Sequence, residues 1–315
     1  MRPVVTLTMN PALDMSTSVE RVESRHKLRC GPAVFDPGGG GVNVARVIHR
    51  LGGEATAIYA CGGPTGYAYR QLLEAEGVNA CAMPIEGATR SNVTVDETST
   101  GEQYRFVVQG PEISEAEWRN CLDILAERVE TDSYVVASGS LPPGVPDDFY
   151  GRVARLAKKR GARCVIDTSG APLRAALEEG VFLVKPNLRE MQQLIGEDLD
   201  TAEVQERAAR GLVERGASEI VALTLGADGA VLVWPGGVSR IPAPRLATRS
   251  AVGAGDSFVG ALVLRLAQDR PLEEAFLYAS AAGAAALLTP ATELCRRDDV
   301  ARLYLQIAED QACRT

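Results

Sequence analysis

Short apolar runs alternate with amphipathic helical periods along most of this 315-residue chain, and that alternation leaves few folds open. Strand-like runs recur at residues 4–8, 55–60, 134–137, 164–166, 182–184, 220–224 and 230–234. Between them Val44, Val47, Ile48 and Leu51 follow one helix face and stop at Gly52 and Gly53, while Phe149, Val153, Leu156 and Ala157 share another face that ends before Gly161. Parallel strands need crossovers, and crossover helices cover both faces of the sheet. The expected fold is therefore α/β, three layers around a mainly parallel central sheet, with ligands bound beyond the carboxyl ends of its strands.

Two stretches break the rhythm. Residues 16–35 hold strand-like pieces without a helix, and residues 92–108 read as a hairpin with a polar turn at 97–101. Together, at about 15–36 and 90–108, they are expected to form a small antiparallel sheet inserted in a single domain spanning 1–315, serving as a lid, a dimer surface or both.

Thirty-three basic against forty-one acidic residues give a net charge of −8, which disfavours nucleic acid or an anionic membrane as the main partner. Seven cysteines, odd in number and without a C-x-x-C, make neither a disulfide framework nor a zinc knuckle. His26 and His49 are the only histidines, too few for a His-rich metal site. No secretory leader and no apolar stretch of membrane-spanning length is evident, so a cytoplasmic protein is expected.

Gly253-Ala254-Gly255-Asp256-Ser257 precedes an apolar helical stripe. Unpaired amides at such a helix start suit a phosphoryl group in transfer, and Asp256 there is placed to deprotonate a hydroxyl; alternatively Asp256 is only an N-cap. Gly38, Gly39, Gly40 and Gly41 precede another helix, where backbone amides can approach a small polar ligand and Asn43 can both donate to and accept from a hydroxyl. The run is not G-x-G-x-x-G, and no Gly-Lys pair exists to make a P-loop.

Only four lysines occur, so a Lys at a strand end stands out. Lys185 is such a residue, followed by Asn187 and Glu190; these two either orient a Mg²⁺–water shell beside ATP phosphates or simply form a capping box. The turn around Gly226 and Gly229, after Thr224, is either a nucleotide contact or a plain tight turn. Lys27, Arg90 and Arg105 converge on an anion or are solvated edge charges. Asp14, expected at the carboxyl end of the first strand, either accepts from a hydroxyl or forms a turn.

With Thr6 to Asp14, Lys27 to Cys30, Pro37 to Arg46, Gly101 to Val107, Ser138 to Gly144 and Lys185 to Asn187, the Gly-Ala-Gly-Asp run resembles the ribokinase-like (PfkB-type) sugar kinase family from about Thr6 to about Asp299. Within it the chain is most similar to the minor bacterial 6-phosphofructokinases. In related 1-phosphofructokinases and tagatose-6-phosphate kinases a Lys usually stands where this chain has Gly40.

The resemblance implies the ribokinase-like fold and ATP-dependent phosphorylation of fructose 6-phosphate at its 1-hydroxyl. Tagatose 6-phosphate or fructose 1-phosphate are the alternative substrates, and a regulator without turnover is the remoter reading. Asp256 would be the general base, with Gly253, Ala254 and Gly255 as the anion hole. Asp14, Gly39 and Asn43 would meet sugar hydroxyls, Lys27, Arg90 and Arg105 the substrate phosphate, and Ser138, Gly139 and Ser140 the pocket floor. ATP would meet Lys185, Asn187, Glu190, Thr224, Gly226, Gly229 and Thr248, with Mg²⁺ reached mainly through water from Asn187 and Glu190. A K⁺ site would fall at Ser250, Val252, Ala286, Thr289 and Ala291, in a loop that Pro290 is expected to reshape, and the small sheet would pair two subunits into a homodimer.

Overall fold

The computed structural model describes residues 1–247, 250 and 252–312; Thr248 lies outside the described residues. In chain order come β1 (Val4–Thr8), β2 (Ala12–Val19), β3 (Val34–Gly38), α1 (Gly40–Arg50), β4 (Thr56–Cys61), α2 (Gly63–Ala75) and β5 (Ala80–Pro84). A hairpin of β6 (Arg90–Glu97) and β7 (Gln103–Phe106) follows. Strand and helix then alternate through α3 (Glu115–Arg128), β8 (Tyr134–Ser138), α4 (Phe149–Lys159), β9 (Arg163–Asp167), α5 (Gly170–Glu179) and β10 (Val181–Val184). Next are α6 (Leu188–Ile195), α7 (Ala202–Glu214), β11 (Ser218–Thr224), β12 (Ala230–Trp234), β13 (Gly237–Ile241), α8 (Ala254–Ala267), α9 (Leu272–Ala286) and α10 (Arg297–Ala312).

Among the described residues the main sheet has nine strands in the order β13-β12-β11-β10-β9-β8-β1-β4-β5. All pairs from β5 to β11 are parallel, and β12 and β13 fold back antiparallel at one edge. The order reverses at β1, which lies between β4 and β8, so a crevice opens at the carboxyl ends of β1 and β8. Alternation along each strand feeds two cores. Val4 and Val136 pack with Val44, Val47, Phe258 and Phe276 of α1, α8 and α9, while Val5, Leu7, Val135 and Ala137 pack with Leu125, Val153, Leu173 and Leu212 of α3, α4, α5 and α7. Each such large buried side chain contributes about 2 kcal/mol relative to exposure.

The second sheet has the order β3-β2-β6-β7. Its outer pairs are antiparallel, but the central pair β2–β6 is parallel, because the chain reaches β6 only after crossing through β4 and β5. The sheet also begins at Ala12 and takes in Gly38, beyond the expected bounds, since the start of the glycine run extends β3. Its two faces differ. Asp36, Asp14 and Asn92 stand in one cross-strand row, while Phe35, Met15, Val93 and Phe106 form an apolar row across all four strands of the other face. Phe35 and Phe106 are 47% and 56% exposed.

Candidate active site

The glycine run is the hinge between the sheets. Gly38 closes β3, Gly39 adopts φ +127°, and Gly40 begins α1. Side chains are excluded there by contact: a Cβ at residue 38 would come within 1.9 Å of Asp14 Oδ2, and one at residue 40 within 2.2 Å of Ser138 Oγ. The run thus brings the small sheet, the start of α1 and the end of β8 to one point.

Gly253, at φ +75°, is the N-cap of α8, which has no side-chain capping bond. Asp256 is therefore not the cap. Its Oδ2 instead accepts from Asn43 Nδ2 of α1 at 2.8 Å, leaving the first-turn amides without a side-chain cap at the positive end of the helix dipole. Burial and the neighbouring Asp167 push the Asp256 carboxyl up to about 6, against the opposing pull of Asn43, Lys185 and Arg46.

Lys185, at the end of β10, is 5% exposed and forms a 3.0 Å ion pair with Asp167 Oδ1 at the end of β9. A Cβ on Gly255 would lie 3.6 Å from Lys185 Nζ, so the ammonium stands against the start of α8. Burial alone would pull the lysine down, but Asp167, Glu190 and Asp256 outweigh it and raise its pKa, keeping it charged. Asp167 was missed by the sequence reading. The signal was present in the pattern: an Asp terminating an apolar strand run, as Asp167 terminates β9, lies at the crevice by topology.

Asn187 and Glu190 form a reciprocal capping box at α6: Asn187 Oδ1 accepts from Glu190 N and Glu190 Oε2 from Asn187 N, each at 2.8 Å. Burial raises the Glu190 pKa, with the Asn187 amide and Lys185 opposing. Thr224, at the end of β11, is bridged to Asn187. The turn beyond it is a 3₁₀ turn, Gly226–Asp228. A Cβ at Gly229 would meet Ile241 O at 2.0 Å, so packing alone demands glycine there, whereas one at Gly226 would meet open space.

Asp14 is not at the end of β1 but within β2, because residues 9–11 turn the chain into the small sheet. Asn92 Nδ2 donates to its Oδ1 at 2.8 Å, and Arg90 and Arg105 act on it electrostatically against the burial that raises its pKa. The Arg90 guanidinium donates to the Val108 and Asn10 carbonyls at 2.9 and 3.0 Å. Arg105 is exposed on β7. Lys27 is exposed on the loop between β2 and β3. Ser138 Oγ lies 3.5 Å from Asp167 Oδ2, and Gly139, at φ +105°, donates its amide to Asp167 O. A neighbouring cavity of about 510 Å³, lined by Asn10, Gly110, Ser140, Asp147, Thr168 and Pro172, adjoins this floor but does not reach Asp256.

Ser250 Oγ donates to Ala291 O at 2.7 Å, and the Thr289 hydroxyl lies 2.7 and 2.6 Å from the carbonyls of Ala286 and Glu293. Ala291 adopts φ +51°. The loop after Pro290 thus keeps a left-handed residue without glycine, at a cost of about 1–2 kcal/mol. Thr292 Oγ1 ties the same loop to Asp36 of β3 at 2.7 Å. Among the described residues no group of three or more His, Cys, Asp and Glu forms a metal cluster, and no helix is long and apolar enough to cross a membrane.

Residues 3–299 match the model of the pfkB family carbohydrate kinase. The chain is 44% identical over 306 residues to the ATP-dependent 6-phosphofructokinase isozyme 2 of Mycobacterium tuberculosis, covering 97% of this chain and 90% of that one. Phosphofructokinase-2 of Escherichia coli, solved in complex with potassium, is 40% identical with a TM-score of 0.94, covering 98% of this chain and all of that one; the same enzyme has been solved with fructose 6-phosphate. The 1-phosphofructokinase of Bacillus subtilis is 32% identical over 282 residues, covering 90% of this chain and 91% of that one. With a carboxylate at an uncapped helix start, a buried ammonium beside it and these relatives spanning nearly its whole length, the chain belongs to the pfkB family of carbohydrate kinases, phosphotransferases in the ribokinase-like α/β fold.

Proposed function

We propose that this enzyme transfers the γ-phosphoryl group of ATP to the 1-hydroxyl of fructose 6-phosphate, giving fructose 1,6-bisphosphate and ADP. The observation that carries the reading is the Asp256 carboxylate, held by Asn43 at the open start of α8 with Lys185 close by. Asp256 takes the hydroxyl proton as the sugar oxygen attacks the γ-phosphorus, a P–O bond forms, and the bond to the β-phosphate oxygen breaks. The amides of Gly253, Ala254 and Gly255 receive the charge that shifts onto the phosphoryl oxygens.

Asp14, Gly39 and Asn43 meet the sugar hydroxyls, with Ser138 and Gly139 beneath them. Arg90, Arg105 and the mobile-length side chain of Lys27 take the 6-phosphate. Lys185, Asn187, Glu190, Thr224, Gly226 and Gly229 take ATP; the packing demand at Gly229 leaves only its backbone for that task. Thr248 belongs to the same set but lies outside the described residues.

Glu190 Oε1, left free by the capping box, and the second lone pair of Asn187 Oδ1 fit water-mediated contact to Mg²⁺. When bound with ATP, Mg²⁺ supplies charge neutralisation at the β- and γ-phosphoryl oxygens. The neutral carbonyl and hydroxyl oxygens of Ser250, Val252, Ala286, Thr289 and Ala291 fit K⁺, and the Ser250–Ala291 bond holds two of those segments together. The Escherichia coli relative has been solved in complex with potassium, which supports potassium as the ion.

Phosphorylation of fructose 1-phosphate is the second reading, favoured by the Bacillus subtilis relative. Gly40 argues for the first, because its closeness to Ser138 Oγ leaves no room for the Lys expected there in 1-phosphofructokinases. Initial rates of ADP release with Mg-ATP against fructose 6-phosphate, fructose 1-phosphate, tagatose 6-phosphate and free fructose test the choice. The expected kcat/KM is highest for fructose 6-phosphate; a higher value for fructose 1-phosphate selects the second reading.

The partner proposed for the apolar row of Phe35, Met15, Val93 and Phe106 is the same face of a second copy, forming a homodimer. The Escherichia coli relative has also been solved as a tetrameric inhibited form, so the test must resolve both states. Sedimentation is expected to give a dimer, and Phe106→Glu a folded monomer whose melting temperature no longer depends on protein concentration. A variant that still dimerises would move the interface elsewhere.

A further inference from the structure

Arg46 is the bulkiest fully buried residue of the described chain, 1% exposed, and none of the roles above uses it. A guanidinium has five N–H donors and cannot lose its charge, so burying it demands an acceptor for each. Here all five are met. Nε donates to Glu76 Oε2 at 2.8 Å, one terminal nitrogen donates to Glu76 Oε1 and to Asp36 Oδ1 at 3.4 Å, and the other donates to Pro37 O at 3.0 Å and to Asn43 Oδ1 at 3.3 Å. Asn43 and Arg46 are three apart on α1 and share a face of the helix.

Asn43 therefore stands between a cation and an anion. Its carbonyl oxygen accepts from Arg46, and its amide nitrogen donates to Asp256 Oδ2 at 2.8 Å. A side-chain amide turned by half a revolution occupies nearly the same space but aims its oxygen at the carboxylate. While Asp256 is charged it opposes that turn itself. Once Asp256 has taken the substrate's proton the opposition is gone, and only the guanidinium still fixes the amide. We infer that Arg46 is a positioning residue for phosphoryl transfer: braced by Glu76 and Asp36, it holds the Asn43 amide with its N–H toward Asp256 through the proton transfer of every turnover.

This inference rests on Asp256 acting as the base. The groups facing that carboxylate are Asn43 and Arg46 from α1, Asp167 from the end of β9 and Lys185 from the end of β10. Of these, Arg46 and Asn43 are altered by the test and the other two are left in place.

The test is a double-mutant cycle read as kcat with fructose 6-phosphate and as the acid limb of the pH–rate profile. Arg46→Met keeps most of the buried length. In the wild-type background it is expected to lower kcat about tenfold, the loss of one hydrogen bond to a charged group, and to move the acid limb to higher pH. In an Asn43→Ala background the same change is expected to alter kcat less than about twofold, because the group through which Arg46 acts is already gone. Glu76→Gln, which keeps Arg46 but weakens its brace, is expected to follow the same pattern with a smaller loss, and it serves if Arg46→Met does not fold. Equal factors in the two backgrounds, or a kcat loss with an unmoved acid limb, would overturn the inference. Retained turnover in Asp256→Asn with a coupled cycle would instead remove the base assignment and leave the Arg46–Asn43 coupling standing.

Discussion

Asp256→Asn is expected to lower kcat about a thousandfold while leaving ATP affinity unchanged, since a positioned general base contributes roughly 10²–10⁴. The substitution keeps the size of the side chain and its place at the third position of α8, so the helix start and its amides survive. It removes the carboxylate proposed to accept the hydroxyl proton. The wild-type profile supplies an independent sign. Burial and Asp167 raise Asp256 to about 6, so the base is charged above that pH and protonated below it. Activity is expected to fall tenfold per pH unit on the acid side of about 6, and that limb is expected to vanish from the residual rate of the variant. A variant that turns over within tenfold of wild type would assign proton removal to another group.

Lys185→Met is expected to damage both activity and stability. Its ammonium neutralises Asp167 and acts on Glu190 and Asp256, and it stands against Gly255 where phosphoryl oxygens are proposed to bind. Removing one partner of a buried pair strands the other; with Asp167 13% exposed, the lower end of the usual penalty applies, about 3 kcal/mol. The melting temperature is expected to fall by several degrees. The loss in kcat is expected to be about a hundredfold, as for removal of one preorganised donor at a transition state. The acid limb should also move upward, because Lys185 is one of the groups holding the Asp256 pKa down. Full activity with only the stability loss would make Lys185 a structural cation.

Much of the fold was legible because alternation is a local property. Apolar runs at β1, β8 and β9 and the helical face of Val44, Val47 and Ile48 carry their periodicity in the sequence itself. The parallel pairing of β2 with β6 was not legible, since it depends on how the chain returns after β4 and β5 rather than on either strand. The Gly-Ala-Gly-Asp helix start and the glycine run announced themselves as local patterns, and at residues 38, 40 and 253 close approach or a positive φ leaves no place for a side chain. Asp167 did not, being one carboxylate among forty-one acidic residues until the sheet brings the ends of β9 and β10 together. Arg46 was hidden for a similar reason: in a chain that uses Arg by default, burial is what distinguishes it. For Asn187 and Glu190 the capping box is formed, and it leaves Glu190 Oε1 free, so the cap does not compete with the role proposed for them beside Mg²⁺.

The most direct measurement is the phosphorus spectrum of the products after one equivalent of Mg-ATP has reacted with fructose 6-phosphate. The account predicts ADP and a fructose carrying phosphomonoesters at carbons 1 and 6 in equal amounts, with none formed by Asp256→Asn on the same timescale. Release of inorganic phosphate with unchanged fructose 6-phosphate, or reaction with fructose 1-phosphate alone, would contradict it.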